Sequence, residues 1–166
     1  MATMTRNIGT SVTMATTALQ SVANSATVGW KSARVDDTSN KAIDYEINIQ
    51  IAAVNTAPAN DKAIYVYVVP WYYDGSTWSV GADGGTTTAI TDGDAAYTIA
   101  AGNGLRLGKV IPYVTQNQPM SAQFNLANMF PTLPDGWQLV VINYCGITLA
   151  SSGNVIKYKP IKLDVA

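Results

Sequence analysis

The sequence contains no histidine, one cysteine and one glutamate, and only 13% of its 166 residues are charged. An average soluble domain carries about 25% charged residues. Histidine is the usual proton shuttle near neutral pH and a common metal ligand, so its absence removes the commonest catalytic side chain. We therefore expect a protein that is not an enzyme, with no catalytic residue, no metal and no cofactor.

The single cysteine, Cys145, ends the apolar run Trp137–Cys145. It has no second cysteine for an internal disulfide and no histidine to activate it as a nucleophile. The pattern predicts a small buried core thiol. A lone cysteine is also typical of a protein made in a reducing cytosol.

Concentrated charge is also missing, since the formal net charge is −1 and the ten basic residues are spread along the chain. The one exception is Lys157, Lys159 and Lys162. Lys157 and Lys159 share one face of a predicted strand, which is typical of a solvated sheet edge. No segment approaches the ~20 continuous apolar residues that span a bilayer. We expect neither nucleic acid nor a membrane as a partner.

What the chain does have is strand patterning, because 48% of its residues are hydrophobic. Residues 42–52 alternate apolar and polar side chains without an error, as a strand with one buried face does. Residues 62–71 are apolar on both faces, as in a central strand. Asp74-Gly75 and Asn103-Gly104 are hairpin signals, because both central positions of a type I′ turn need positive φ.

Further strands are predicted at residues 120–126, 138–144 and 155–165, with a short helical turn at 126–130. Pro160 predicts that the last strand is an edge or contains a bulge. The whole pattern predicts an all-β protein, an antiparallel β-sandwich or jelly roll, with a body at residues 27–166.

Residues 1–26 predict an extended N-terminal arm. From Met1 to Trp30 the only charged side chain is Arg6, too few charges for a solvated disordered tail, and there is no helical period beyond one or two turns near residues 14–23. An arm that lies on the body or on a neighbouring subunit explains both features. Its predicted contact residues are Arg6, Ile8, Val12, Met14 and Leu19.

Two acidic groups invite a chemical interpretation. Asp44 and Glu46 lie on one face of a predicted strand, ~6.5–7 Å apart along the backbone, but the polar face of an amphipathic strand explains them better than catalysis. The Gly-rich loop 80–95 contains Asp83, Asp92 and Asp94. It lacks the remaining positions of an EF-hand, and the pattern favours a flexible surface loop over a calcium site.

The aromatic residues Trp71, Tyr72, Tyr73 and Trp78 flank one predicted hairpin. Alternation along the strands places some of these rings outward, where tryptophan and tyrosine are enriched in protein interfaces and also stack on sugars. Core packing accounts for the others. We expect the exposed rings to form a binding patch, for a protein subunit in preference to a carbohydrate.

The segment from Ser11 to Asn40 resembles the N-terminal region of small virion proteins of tailed bacteriophages. The resemblance rests on a Thr/Ala/Ser-rich arm, then Gly29-Trp-Lys-Ser32, then Val35-Asp-Asp-Thr-Ser-Asn40 before the first long strand. In size and character the chain is most similar to capsid decoration, or cement, proteins. That resemblance implies a β-sandwich or jelly-roll body, homotrimers on the outside of the head, and an arm reaching over neighbouring coat subunits.

The expected function is therefore stabilisation of a phage coat lattice from outside. The expected partners are the major capsid protein and further copies of this chain, and the expected location is the capsid surface after synthesis in the bacterial host cytoplasm. The alternative is a phage tail or receptor-binding module that recognises a host-surface glycan through the exposed aromatic rings.

Overall fold

The computed structural model describes residues 3–59, 61–80, 90–99 and 105–165. These residues form an all-β fold of antiparallel strands, and a single 3-10 turn at Leu126–Asn128 is the one helical element among them. In chain order the strands are β1 (Met4–Ile8), β2 (Val12–Thr13), β3 (Val28–Lys31), β4 (Val35–Asp36), β5 (Asp44–Ile51), β6 (Ala63–Tyr73), β7 (Trp78–Val80), β8 (Ala95–Thr98), β9 (Arg106–Pro112), β10 (Met120–Asn125), β11 (Gly136–Tyr144) and β12 (Val155–Val165).

The strands form two sheets. Sheet A has the order β1-β12-β5-β10, and β2 also pairs with β12. Sheet B has the order β7-β6-β11-β3-β8, with β4 also paired with β11 and β9 with β6. The predicted all-β, sandwich-like fold is confirmed. A jelly-roll topology, an extended N-terminal arm and the division of the chain at residue 26 stay predictions.

The main core lies between the inner faces of the two sheets. The alternation predicted for residues 42–52 is confirmed over β5, because Tyr45, Ile47, Ile49 and Ile51 are buried while the residues between them are partly or fully exposed. It was wrong at Ile43, which precedes the strand and is 46% exposed. Trp137 of sheet B packs edge-on against Tyr45, with ring centroids 5.2 Å apart. Edge-to-face contacts between aromatic rings stabilise the fold beyond the effect of the area that the rings bury.

A second hydrophobic cluster covers part of the outer face of sheet B. It contains Val69, Trp71, Val140 and Ile142 from β6 and β11, together with Ile90 and Tyr97. This cluster explains why β6 and β11 are apolar on both faces. The predicted central strand at residues 62–71 is confirmed, since β6 has β11 on one side and β7 and β9 on the other.

One of the two predicted hairpins forms. β6 and β7 pair through Tyr73 and Trp78, but four residues connect them, and Gly75 has positive φ whereas Asp74 does not. The expected type I′ turn was therefore wrong. The Asp74 carboxylate instead accepts the backbone N–H groups of Ser76 and Thr77, at 2.8 and 2.7 Å.

The second predicted hairpin was wrong in its pairing. Asn103-Gly104 lies outside the described residues, but β8 pairs with β3 and β9 pairs with β6, near opposite edges of sheet B. The short helical turn expected before Pro131 is confirmed at Leu126–Asn128.

Of the two alternatives expected for the last strand, an edge or a bulge, the sheet edge was wrong, because β12 lies between β5 and the pair β1/β2. Pro160 lacks a backbone N–H, and the irregularity falls on the neighbouring strand: β1 ends opposite Ile161 and β2 resumes opposite Tyr158. Between them the Gly9 N–H donates to the Pro160 carbonyl at 2.8 Å. Lys157 and Lys159 are therefore on an interior strand.

Candidate interaction surface

The N-terminal strand β1 is exposed on both faces. All five of its side chains are solvent-exposed, and it pairs with β12 alone among the described strands. Met4, Arg6 and Ile8 point to one face, beside Leu163 of β12. Met4 is 64% exposed, Ile8 55% and Leu163 45%. β1 thus offers apolar side chains and a backbone edge that no other described strand occupies.

The other predicted contact residues of the N-terminal segment divide into two groups. Val12, in β2, is exposed, whereas Met14 and Leu19 are buried in the main core. Two backbone hydrogen bonds of 3.0 Å tie this segment to the body, from Ser21 N–H to the Ala150 carbonyl and from Leu149 N–H to the Val22 carbonyl. In this chain Met14 and Leu19 are therefore part of the core, and the surface of the segment is supplied by β1 and Val12.

The predicted aromatic cluster is also split between core and surface. Trp71 is buried, and its indole N–H donates to Gln138 Oε1 at 3.1 Å. Tyr72 and Tyr73 are exposed, and Trp78 is half-buried. Because Tyr73 and Trp78 face each other across the hairpin, their rings contact with centroids 4.9 Å apart.

Arg34 completes this aromatic group. Its guanidinium lies over the Trp78 ring at 3.9 Å and near the Trp71 ring at 5.0 Å. It also forms an ion pair with Asp92 at 3.7 Å. A cation over an indole ring stabilises by about 0.5–2 kcal/mol. The group therefore ties the hairpin to the segment around Asp92, and the sequence pattern did not reveal Arg34.

The carboxylates of Asp92 and Asp94, which suggested a calcium site, accept hydrogen bonds from donors of the protein itself. Asp92 accepts the Arg34 backbone N–H at 2.7 Å, and Asp94 accepts the Trp30 indole N–H at 2.5 Å. The Lys31 ammonium donates to the Thr91 carbonyl at 2.6 Å. Burial lowers the pKa of Lys31, and the two nearby carboxylates oppose that effect.

In the described part of the chain, no group of three or more acidic or cysteine side chains is arranged to hold a metal. Asp83 lies outside the described residues. The calcium interpretation thus gains no support, and the described part of this loop is held by hydrogen bonds.

The carboxylates of Asp44 and Glu46 each have protein partners. Asp44 accepts from Asn125 Nδ2 at 2.6 Å and from the Ala127 N–H at 2.9 Å. Glu46 accepts from Asn48, which lowers its pKa, and Lys159 lies 3.5 Å away. A general acid needs a raised pKa, so the polar face of an amphipathic strand is the better interpretation of Glu46.

Cys145 is fully buried, which confirms the predicted core thiol. Its Sγ lies 2.7 Å from Asn143 Oδ1, and burial raises its pKa. A raised pKa reduces the thiolate fraction that a nucleophile requires.

A groove on the outer face of sheet A was not expected. It has a volume of about 440 Å³ and crosses β10, β5 and β12. Its exposed polar side chains are Gln50, Ser121, Gln123 and Lys157. The alternation in residues 42–52 placed Gln50 on the wet face, but the sequence did not indicate which strands flank it.

Comparison with protein-family models, with curated proteins and with solved structures returned no match. Within the described residues, no helix has the length and apolar character needed to cross a membrane.

Proposed function

We propose that this protein is a non-enzymatic virion structural protein that binds the outside of a phage capsid and stabilises the coat lattice. The observation that carries the proposal is β1, whose apolar side chains Met4 and Ile8 are more than half exposed. Large exposed aliphatic side chains next to an open strand edge are suited to a contact with another protein chain. The resemblance of residues 11–40 to small phage virion proteins supports a coat subunit as that chain.

The proposed function depends on weak contacts that are repeated in several copies of the protein. A strand of five residues buries too little surface for tight binding by one copy, since stable interfaces bury about 1,200–2,000 Å² in total. Association of three copies multiplies weak contacts through effective concentration. A homotrimer on the capsid surface, which the resemblance to decoration proteins implies, is part of the proposal.

The aromatic hairpin provides the rationale for the alternative function, a tail or receptor-binding module for a host glycan. Tyr72 and Tyr73 are exposed, but Tyr73 and Arg34 both contact the Trp78 ring. These contacts reduce the ring face open to a sugar. We therefore favour the capsid proposal and treat the hairpin as a secondary protein contact.

The test is binding to particles made without this protein. The informative variant is Met4→Ser combined with Ile8→Ser, which removes the apolar side chains of β1 and leaves the core untouched. Each exposed aliphatic side chain that becomes buried in an interface contributes about 1–2 kcal/mol. We expect the double variant to bind particles at least tenfold more weakly than the wild type.

The matched control is Val114→Ser, which removes an aliphatic side chain that is 58% exposed and lies outside β1. It is expected to bind like the wild type. Unchanged particle binding by the double variant would refute the role of β1, and no binding by the wild type would refute the capsid proposal.

A further inference from the structure

The groove on the outer face of sheet A is built from two rungs of paired residues. In the first rung Gln50 of β5 lies between Ser121 of β10 and Val155 of β12. In the second, Asn48 lies between Gln123 and Lys157 in the same way. Residues opposite one another in antiparallel strands share a face, so these side chains project together into the groove.

The same face continues into a third rung, where the polar groups are already used. There Asn125, Glu46 and Lys159 lie side by side, and Glu46 has both Lys159 and Asn48 as partners. By contrast, the side chains of Gln50, Ser121, Gln123 and Lys157 have no hydrogen-bond or ion-pair partner within the described residues. One half of the face is thus internally satisfied, and the other half presents free amides, a hydroxyl and an ammonium group to the groove.

The backbone under the groove restricts the kind of ligand. β5 is paired with β10 on one edge and with β12 on the other, so the floor of the groove has no open strand edge for an extended peptide. A ligand that lies over β5 is therefore held by side chains. Amides and hydroxyls both donate and accept hydrogen bonds, and they match the hydroxyl groups that a sugar presents along its length.

The charge and the volume of the groove restrict the class of ligand further. Lys157 is the one charged side chain lining the groove, and it carries no salt-bridge partner among the described residues. The volume of about 440 Å³ falls within the ~300–1,000 Å³ typical of small-ligand sites. We propose that this groove binds an acidic oligosaccharide, with Lys157 pairing to a sugar carboxylate and Gln50 and Gln123 to its hydroxyls. This function is separate from the capsid contact proposed for β1.

The proposal is tested by titrating isotope-labelled protein with trigalacturonic acid and with sialyllactose, using the neutral sugars galactotriose and lactose as counterparts. The readout is the set of side-chain amide NMR signals of Asn48, Gln50 and Gln123. At about 10 mM sugar, a ligand with a Kd near 1 mM occupies most sites. We expect at least one acidic sugar to shift these signals and to bind at least fivefold more tightly than its neutral counterpart.

Two variants test whether the acidic sugar binds at the groove. Lys157→Gln should weaken binding of the acidic sugar about fivefold, while Lys109→Gln, which removes an exposed lysine from β9, should leave it unchanged. Both variants should bind capsid particles like the wild type, which separates this proposal from the proposed function.

Absence of any amide shift with both acidic sugars would overturn the proposal. Equal affinity of Lys157→Gln and the wild type would also overturn it. Loss of particle binding by Lys157→Gln without a sugar-dependent shift would assign the groove to a coat contact instead.

Discussion

Leu19→Ala tests whether the N-terminal segment contributes to the core of the body. Leu19 is fully buried between the sheets although it precedes β3 and lies in no strand. The substitution removes three carbon atoms, which at ~0.8 kcal/mol each is about 2.4 kcal/mol of transfer free energy. The cavity left behind adds up to about 2 kcal/mol. We expect the free energy of unfolding to fall by about 2.5–4.5 kcal/mol.

The assay is urea unfolding followed by tryptophan fluorescence, with thermal unfolding as a second measure. For a domain of this size each kcal/mol lowers Tm by about 2–4 °C, so a loss of about 3 kcal/mol corresponds to roughly 6–12 °C. The matched control is Leu163→Ala, at a leucine that is 45% exposed, which should cost about 1 kcal/mol or less. Equal unfolding midpoints for the two variants would mean that residue 19 does not pack in the core, and would refute this reasoning.

Three further outcomes follow from individual contacts. Burial raises the pKa of Asp37, and the hydrogen bond from the Tyr45 hydroxyl opposes that rise. The protonated Asp37 carboxyl therefore stabilises the fold fully below the ordinary carboxyl pKa of about 3.9, and this stabilisation is lost as the pH rises through the pKa of the folded state. Asp37→Asn should gain stability relative to the wild type between pH 3 and pH 7, and a difference in unfolding free energy that is flat or falls with pH in urea titrations would contradict the raised pKa. Trp71→Ala should cost about 3–5 kcal/mol in thermal unfolding because the ring is buried, whereas Tyr72→Ala should cost less than about 1 kcal/mol, and similar losses would contradict the assigned burial. Gly29→Ala should fail to yield folded protein by circular dichroism, because its added Cβ would clash with the Val141 carbonyl oxygen of β11, and a native-like spectrum would disprove that close approach.

Elements that depend on local pattern could be predicted from the sequence. The alternation along β5 indicates one buried face, and Pro131 indicates that any helical turn before it is short, because proline disfavours continuation of a helix. The burial of Cys145 followed from its apolar surroundings. Each of these features depends on residues within one strand or turn.

Pairing between distant segments could not be predicted in this way. β8 pairs with β3, about 65 residues earlier in the chain, although Asn103-Gly104 between β8 and β9 favoured a local hairpin of those two strands. Pro160 predicted an edge strand or a bulge, and a single sequence does not show that β1 and β2 cover that side of β12.

The candidate surfaces were predictable to a similar extent. Ile8 and Val12 are exposed as a contact role requires, but the burial of Leu19 could not be foreseen, because an irregular segment has no period that marks its inward residues. The groove depends on two strands flanking β5, and Arg34 over Trp78 depends on contact between distant loops. Both are tertiary features without a signature in sequence spacing.

The central proposal is that this protein covers a phage capsid lattice, and its copy number in purified phage particles tests that proposal most directly. Quantitative mass spectrometry against the most abundant coat protein provides the number. We expect a copy number comparable to that of the coat protein. A handful of copies per particle would indicate a tail or receptor-binding component, and absence from the particle would contradict the virion assignment altogether.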